Sequence, residues 1–201
     1  MKLRKIILVS SSPRRRKLLR EAGLKFEAIR SDSDENLLIS QFNGKDFKKL
    51  AENLSIGKIL SALTTGKVKP GGNEILIAFD TVVILNKKIL GKPKNKKHAF
   101  KMLNELSNKS HTVCTGIAVM DLKDKSIVMD HVITKVMMRK ITKKESSAYI
   151  KTNEPMDKAG SYAIQGKGKK FIKSIKGDYY NVIGLPLERF IELLKEIDQR
   201  V

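Results

Sequence analysis

Near its start the chain reads Ile6-Ile7-Leu8-Val9-Ser10-Ser11-Ser12-Pro13-Arg14-Arg15-Arg16. The apolar run predicts a buried strand, and a hydroxyl-rich turn follows it. Pro13 predicts the first position of a helix with a serine as its cap, because proline lacks an amide hydrogen that this position leaves unbonded anyway. The stretch therefore predicts a strand, a turn and a helix in succession, which is how α/β folds begin.

The charge at this helix start calls for an explanation. Arg14, Arg15 and Arg16 fall in the first turn, where unbonded amide donors and the helix dipole already create a positive potential. Cations there repel one another unless an anion binds among them. We interpret the stretch as a phosphate site. The alternative is an exposed basic helix that binds nothing.

Outward from this stretch, strand and helix patterns alternate along the chain. Strands are predicted at 26–29, 75–85, 89–90, 112–120, 127–138 and 171–175, and helices over 46–63, 98–106, 142–150 and 186–197. Thr142 and Glu145 have the spacing of a capping box at the start of the third of these helices. The order predicts one α/β domain over 1–201, with an inner lobe at about 40–150.

Composition excludes several classes of protein. The chain has 201 residues, 41% of them hydrophobic, and no apolar run approaches the roughly 18 residues of a membrane helix. The single cysteine, Cys114, excludes an internal disulfide and fits a reducing compartment, here taken as the cytoplasm. We expect Cys114 to be a core residue. The three histidines lack metal-ligand spacing and predict structural or surface roles.

A formal net charge of +20 favours anionic partners. Most of the positive charge is lysine spread along the chain, and aromatic residues make up only 5% with no tryptophan. The sequence therefore predicts nonspecific affinity for nucleic acid at low salt rather than a dedicated RNA-binding sheet.

Asp80 interrupts a strand that is otherwise almost continuously apolar, Ile75 to Leu85. Such a run is typical of a strand covered on both faces, where an ionised carboxylate is costly without a cation, a metal or several donors. We take Asp80 as a carboxylate that holds a divalent cation or a water beside phosphates. The alternative is an aspartate that binds a neighbouring loop.

Two further polar features follow the same logic. Lys92 lies in Gly91-Lys92-Pro93, one short turn after the strand, where it can bring an ammonium towards Asp80. Glu35 belongs to an acidic cluster with Asp32 and Asp34, which offers oxygen ligands for Mg²⁺ or Mn²⁺. Solvated turns are the alternative in both cases.

The segment Asn153 to Gly166 is rich in small residues and ends in Gln165-Gly166. A glutamine amide both donates and accepts, so it can read the edge of a pyrimidine base. The alternative is a surface glutamine hydrogen-bonded to solvent.

Taken in order, these segments resemble the Maf family of nucleoside triphosphate pyrophosphatases. The matching segments are Leu8–Arg15, Ala78–Val83, Gly91–Pro93, Glu154–Gly160, Gln165–Gly166 and Val182–Pro186. The resemblance covers nearly the whole chain.

The resemblance implies a mixed twisted sheet flanked by helices, with two lobes around a cleft as in inosine triphosphate pyrophosphatases. It also implies a homodimer and hydrolysis of a nucleoside triphosphate to monophosphate and pyrophosphate with a divalent metal. Asp80 would accept the proton of the attacking water and, with Glu35, hold the metal. Glu35 and Lys92 would complete the catalytic cleft.

Substrate contacts are implied in the same way. Ser10, Arg14 and Arg15 would bind the phosphates. Arg14, Thr81 and Gln165 match the subgroup that resembles dTTP and UTP pyrophosphatases, which favours pyrimidine substrates over methylated GTP.

The chain departs from the family pattern at one position. A lysine usually follows the alanine of a Leu-Ala pair by three residues, whereas Leu50-Ala51 is followed at that spacing by Leu54. Lys58 lies one turn further along the same helical face. A basic nucleic-acid-binding or division-regulating protein without turnover is the competing interpretation.

Overall fold

The computed structural model describes residues 4–40 and 46–198. Its elements, in chain order, are β1 (Ile6–Val9), α1 (Pro13–Glu21), β2 (Phe26–Ile29), α2 (Glu35–Ser40), α3 (Phe47–Thr64), β3 (Ile75–Leu85), β4 (Lys88–Leu90), α4 (Lys96–Leu106), β5 (Ser110–Asp121), β6 (Ile127–Met138), α5 (Lys143–Ile150), β7 (Ile172–Lys176), α6 (Tyr179–Ile183) and α7 (Leu187–Asp198). Three short 3-10 turns lie between α5 and β7, at Glu154–Asp157, Ala159–Ser161 and Lys167–Phe171.

The strands form one mixed sheet in the order β2-β1-β3-β5-β6-β7, with β4 paired to β3. β1 runs parallel to both β2 and β3, whereas β4 runs antiparallel to β3 and β7 antiparallel to β6. The predicted mixed α/β class is confirmed.

Local signals account for where the helices begin. Ser12 caps α1 by accepting a hydrogen bond from the Arg15 amide, and Pro13 occupies the first helical turn. Asp46 caps α3 in the same way. Thr142 and Glu145 form the predicted capping box at α5. Side chains that accept from these amides stabilise a helix by about 1 kcal/mol each.

Two short helices, α2 and α6, were not predicted. The acidic cluster around Glu35 was not expected to be helical, but Glu35–Ser40 forms α2. Six residues are too few for a helix to be stable by itself. The Leu38 side chain lies against α3 at Gly57, so packing on α3 stabilises α2.

The chain divides into two compact units, of residues 1–80, 115–132 and 184–201, and of residues 81–114 and 133–183. Each unit has its own buried cluster. The first is built on Ile7, Val9, Ile59, Leu76 and Ala118. The second is built on Leu103, Val136, Tyr149, Tyr162 and Phe171. The inner lobe at about 40–150 stays a prediction, and residues 41–45 within it lie outside the described residues.

Cys114 is fully buried, as expected of a core residue. Among the described residues, none of the helices has the length and apolar character needed to cross a membrane.

Candidate active site

The start of α1 has the predicted architecture. After β1, the Ser10 hydroxyl accepts a hydrogen bond from the Ser12 amide at 3.2 Å. Ser12 then caps the helix, and its hydroxyl lies 3.4 Å from the Arg15 amide. The serines therefore order the turn before the helix, and Arg14, Arg15 and Arg16 occupy the first turn as predicted.

Arg15 is a buried cation held in a fixed direction. Only 8% of it is exposed, and its Nε donates to the Gly184 carbonyl oxygen at 2.7 Å. Its Nη1 lies 3.4 Å from the Ser10 hydroxyl, and its guanidinium carbon lies 5.9 Å from the centre of the Phe79 ring. The Arg15–Gly184 hydrogen bond thus joins the first and the last of the segments that resemble the family, Leu8–Arg15 and Val182–Pro186.

The electrostatics around Arg15 involve the predicted carboxylates. Burial lowers the pKa of Arg15, the Asp80 carboxylate opposes this effect, and the Arg14 charge adds to it. Glu35 also raises the pKa of Arg15. The first unit therefore brings together five of the predicted site residues: Ser10, Arg14, Arg15, Glu35 and Asp80.

Lys58 joins the two predicted carboxylates. Its Nζ contacts the Asp80 carboxylate and lies 3.0 Å from Glu35 Oε1. It also donates to the Phe79 carbonyl oxygen at 3.3 Å. Lys58 and Asp80 are 7% and 8% exposed, so this cation compensates a carboxylate that burial would otherwise destabilise.

Leu54 stands where the family pattern has a lysine, and Lys58 lies one helical turn later. Leu54 is 1% exposed, in the core, where an ammonium would be costly. The full spacing, a leucine, a small residue and a lysine three residues after it, occurs as Leu54-Ser55-Ile56-Gly57-Lys58, four residues after Leu50-Ala51. Lys58 places its ammonium against both carboxylates, one helical turn after position 54. This occurrence of the spacing was the signal that could have identified Lys58.

Lys92, Thr81 and Gln165 belong to the second unit. The Gly160 amide donates to the Gly91 carbonyl oxygen at 3.2 Å, which ties the Gly91–Pro93 segment to the Glu154–Gly160 segment. Lys92 and Gln165 are exposed, and Thr81 is half-buried.

The predicted metal ligands have suitable chemistry. Asp80 and Glu35 offer carboxylate oxygens around one shared cation, and Mg²⁺ in phosphate-processing sites takes one or two carboxylates together with substrate phosphates. The residues present fit a divalent ion.

A second group, Glu52, Asp130 and His131, has ligand atoms within 4.8 Å of one another. Each carboxylate already has a cationic partner. Lys49 Nζ lies 3.3 Å from Glu52, and Arg189 Nε lies 2.5 Å from Asp130. His131 Nδ1 lies 2.7 Å from Glu52. This group offers three ligand atoms that could hold a metal ion, and it also forms ion pairs that join α3, β6 and α7.

Comparisons with known proteins identify the family of this chain. The sequence matches a family model described as Maf-like protein over residues 5–197. A dTTP/UTP pyrophosphatase of Clostridium novyi (strain NT) is 45% identical over 193 residues, which covers 96% of this chain and 97% of the relative. A dTTP/UTP pyrophosphatase of Clostridium tetani (strain Massachusetts / E88) is 46% identical over 191 residues, covering 95% and 96%.

Among solved structures, a HAM1 protein from Coxiella burnetii is 15% identical with a TM-score of 0.40, covering 68% of this chain and 73% of that one. That likeness is too distant to support an inference about this molecule.

Proposed function

This chain belongs to the Maf-like protein family, and from that premise we propose that it hydrolyses dTTP and UTP to the nucleoside monophosphate and pyrophosphate. The observation that carries the proposal is the contact of buried Lys58 with buried Asp80 and half-buried Glu35, in the same unit as the arginine-rich start of α1. Binding to the phosphate backbone of a nucleic acid does not require two carboxylates around one buried ammonium.

The start of α1 binds the phosphates in this proposal. Arg15 has its Nε on Gly184, so its direction is fixed before the nucleotide arrives. Arg14 and Ser10 add a further cation and a hydroxyl. Hydrolysis at the α-phosphorus builds charge on the phosphate oxygens, and fixed cations stabilise that charge without having to reorganise.

Asp80 orients the attacking water and accepts its proton. The water oxygen bonds to the α-phosphorus as the bond to the bridging oxygen breaks, and pyrophosphate leaves. Asp80 and Glu35 would hold a divalent ion, which would supply positive charge beside the phosphates. Lys58 keeps both carboxylates in place on the protein side.

We also propose roles in nucleotide binding for residues of the second unit. Lys92 supplies a phosphate-seeking ammonium, and Thr81 and Gln165 contribute to the choice of nucleotide. Gln165 reads the pyrimidine base through its amide, which can pair with both a carbonyl and an N–H of the ring. A homodimer and a cytoplasmic location are further expectations from the family.

The deciding experiment is a pyrophosphate-release assay on dTTP, UTP, GTP and ATP with Mg²⁺ or Mn²⁺. Wild type should favour dTTP and UTP, and Asp80→Asn should lower kcat by roughly 10²-fold or more, as expected for loss of a general base. Asp124→Asn is the matched control, because it makes the same change in an exposed aspartate of the same unit, in the turn between β5 and β6. Equal activity in wild type and Asp80→Asn would overturn the role of Asp80. Absence of pyrophosphate release from every nucleotide would overturn the function.

A further inference from the structure

The loop that carries Gln165 is built around a carboxylate from another segment of the second unit. Glu154 Oε2 accepts a hydrogen bond from the Lys167 amide at 3.1 Å, and Oε1 accepts one from the Gly168 amide at 3.2 Å. Both donors belong to the turn that immediately follows Gln165-Gly166. The two oxygens of one side chain thus hold two consecutive backbone amides.

Tyr149 fixes this carboxylate from the other side. Its hydroxyl donates to Glu154 Oε1 at 2.8 Å and accepts from the Ala163 amide at 3.1 Å. Burial raises the pKa of Tyr149, so the phenol keeps the proton that it donates. Tyr149 therefore connects Glu154 to the loop on the amino-terminal side of Gln165.

The loop backbone lies so close to these two side chains that glycine is required. Gly166 has a φ of +150°, and a Cβ there would lie 2.7 Å from Glu154 Oε1. A Cβ on Gly168 would lie 2.7 Å from the Tyr149 hydroxyl and 2.8 Å from the Ala163 carbonyl oxygen. The glycines on both sides of Lys167 thus allow the backbone to close on Glu154.

The hydrogen bonds of Glu154 stabilise its ionised form. Burial by itself would raise its pKa, but the hydrogen bonds from Lys167, Tyr149 and Gly168 outweigh that effect, and the pKa of Glu154 is lowered. Hydrogen bonds to a charged acceptor are stronger than those between neutral groups.

We propose that Glu154 is a positioning residue for Gln165, and that together with Tyr149 it fixes the 163–168 loop in the conformation that discriminates pyrimidine from purine nucleotides. The inference rests on the proposed function, since it assumes that Gln165 reads the base. Gln165 itself is exposed, so nothing in its own burial would hold it in one direction.

The test compares the ratio of kcat/KM for dTTP to kcat/KM for GTP in wild type and in Glu154→Ala. This ratio does not depend on the fraction of enzyme that is folded, so a merely structural loss would leave it unchanged. We expect the ratio to fall about tenfold or more, as expected when a charged acceptor of two hydrogen bonds is lost. Gln165→Ala should lower it similarly, and the double variant should fall no further than Gln165→Ala.

Two milder variants keep the test available if Glu154→Ala does not fold. Glu154→Gln retains one acceptor oxygen, and Tyr149→Phe removes only the hydroxyl. Both should lower the ratio by less than Glu154→Ala does. The matched control is Glu145→Ala, because Glu145 also accepts from a backbone amide, at Thr142, but caps α5. Its ratio should equal that of wild type.

A wild-type ratio in the Glu154 variants, with a lowered ratio in Gln165→Ala, would overturn the positioning role and leave the proposed function intact. A wild type that hydrolyses no nucleotide would overturn the proposed function instead. Amide hydrogen exchange at Lys167 and Gly168 reports on the loop without any nucleotide, and it should be faster in Glu154→Ala. Unchanged exchange at both amides would overturn the claim that Glu154 orders the loop.

Discussion

At the scale of single residues, the Lys58 side chain is the one that joins the two carboxylates of the candidate site. It is a buried ammonium shared by Asp80 and Glu35, and both carboxylates lose this contact if it is removed. We expect Lys58→Met to lower kcat/KM for dTTP by roughly 10²-fold, the usual effect of removing one preorganised electrostatic group. Steady-state kinetics on pyrophosphate release measures this.

The two lysine assignments can be told apart by a second variant. Leu54→Lys in the Lys58→Met background should not restore activity, since position 54 points into the core. It should instead lower the melting temperature, because it buries an unpaired ammonium. Recovery of activity in the double variant would show that the ammonium belongs at position 54.

His111 predicts a pH effect on stability. Burial lowers the pKa of His111 to about 4, while its ring Nε2 lies 2.8 Å from the Tyr162 hydroxyl. The unfolded chain binds a proton near pH 6.5. Between these two pH values the unfolded state binds more protons than the folded state. The contribution of His111 to the free energy of unfolding is therefore fully present above pH 6.5, and it is lost as the pH drops towards 4.

The size of this loss is roughly 3 kcal/mol, which urea denaturation at several pH values would detect. His111→Gln should flatten the dependence over this range. Tyr162→Phe should keep it, since burial and not the hydroxyl sets the shift. An unchanged slope in His111→Gln would contradict the assignment.

At the scale of elements, the contact between α3 and β5 determines where Lys58 lies. A Cβ on Gly116 in β5 would come within 2.1 Å of the Ala51 carbonyl oxygen in α3. We therefore expect Gly116→Ala to displace α3 and to lower the free energy of unfolding by about 1–3 kcal/mol, the range for overpacking. Activity should fall further than the folded fraction, because α3 carries Lys58.

Gly57 in α3 is the matched control. A Cβ on Gly57 would lie 3.7 Å from Leu38 Cδ1, which is an ordinary van der Waals contact. Gly57→Ala should raise the free energy of unfolding by about 0.5–1 kcal/mol, because alanine favours a helix interior. Thermal and urea denaturation of the two variants should give shifts of opposite sign. Shifts of the same sign would contradict the close approach of α3 to β5.

At the scale of the whole molecule, the positive charge is unevenly divided. The unit of residues 81–114 and 133–183 has twenty lysines and arginines against five aspartates and glutamates, a formal +15 out of +20 for the chain. Lys135 and Lys176 even face each other across the β6–β7 pairing, where like charges are unfavourable. We therefore expect the second unit to attract polyanions through its net positive charge.

We expect single-stranded DNA to inhibit dTTP hydrolysis at low salt, and the inhibition to weaken steeply as salt rises, because binding releases counterions from the phosphates. A titration of activity against DNA at several ionic strengths measures this. Asp80→Asn should bind DNA like wild type, since its charge change is small and lies in the other unit. Inhibition that is independent of salt would contradict the electrostatic origin.

Sequence by itself determined the features that depend on neighbours along the chain. Apolar runs located β1 and β3, because a buried strand needs few polar side chains. Ser12 and Thr142 were identified as caps because a cap bonds an amide within the next turn. The conflict of a carboxylate in an apolar strand was also readable, and it led to Asp80.

Only the tertiary structure decided which distant groups meet. Lys58, Glu35 and Asp80 come from α3, α2 and β3, and no local pattern specifies that one ammonium serves both carboxylates. The partner of Arg15 at Gly184 and the contacts of Glu154 with Lys167 and Gly168 were missed for the same reason. Local propensity acts over one or two turns of chain, whereas these contacts arise from the packing of elements far apart in sequence, which satisfies buried charges and amides with whatever group the fold brings near.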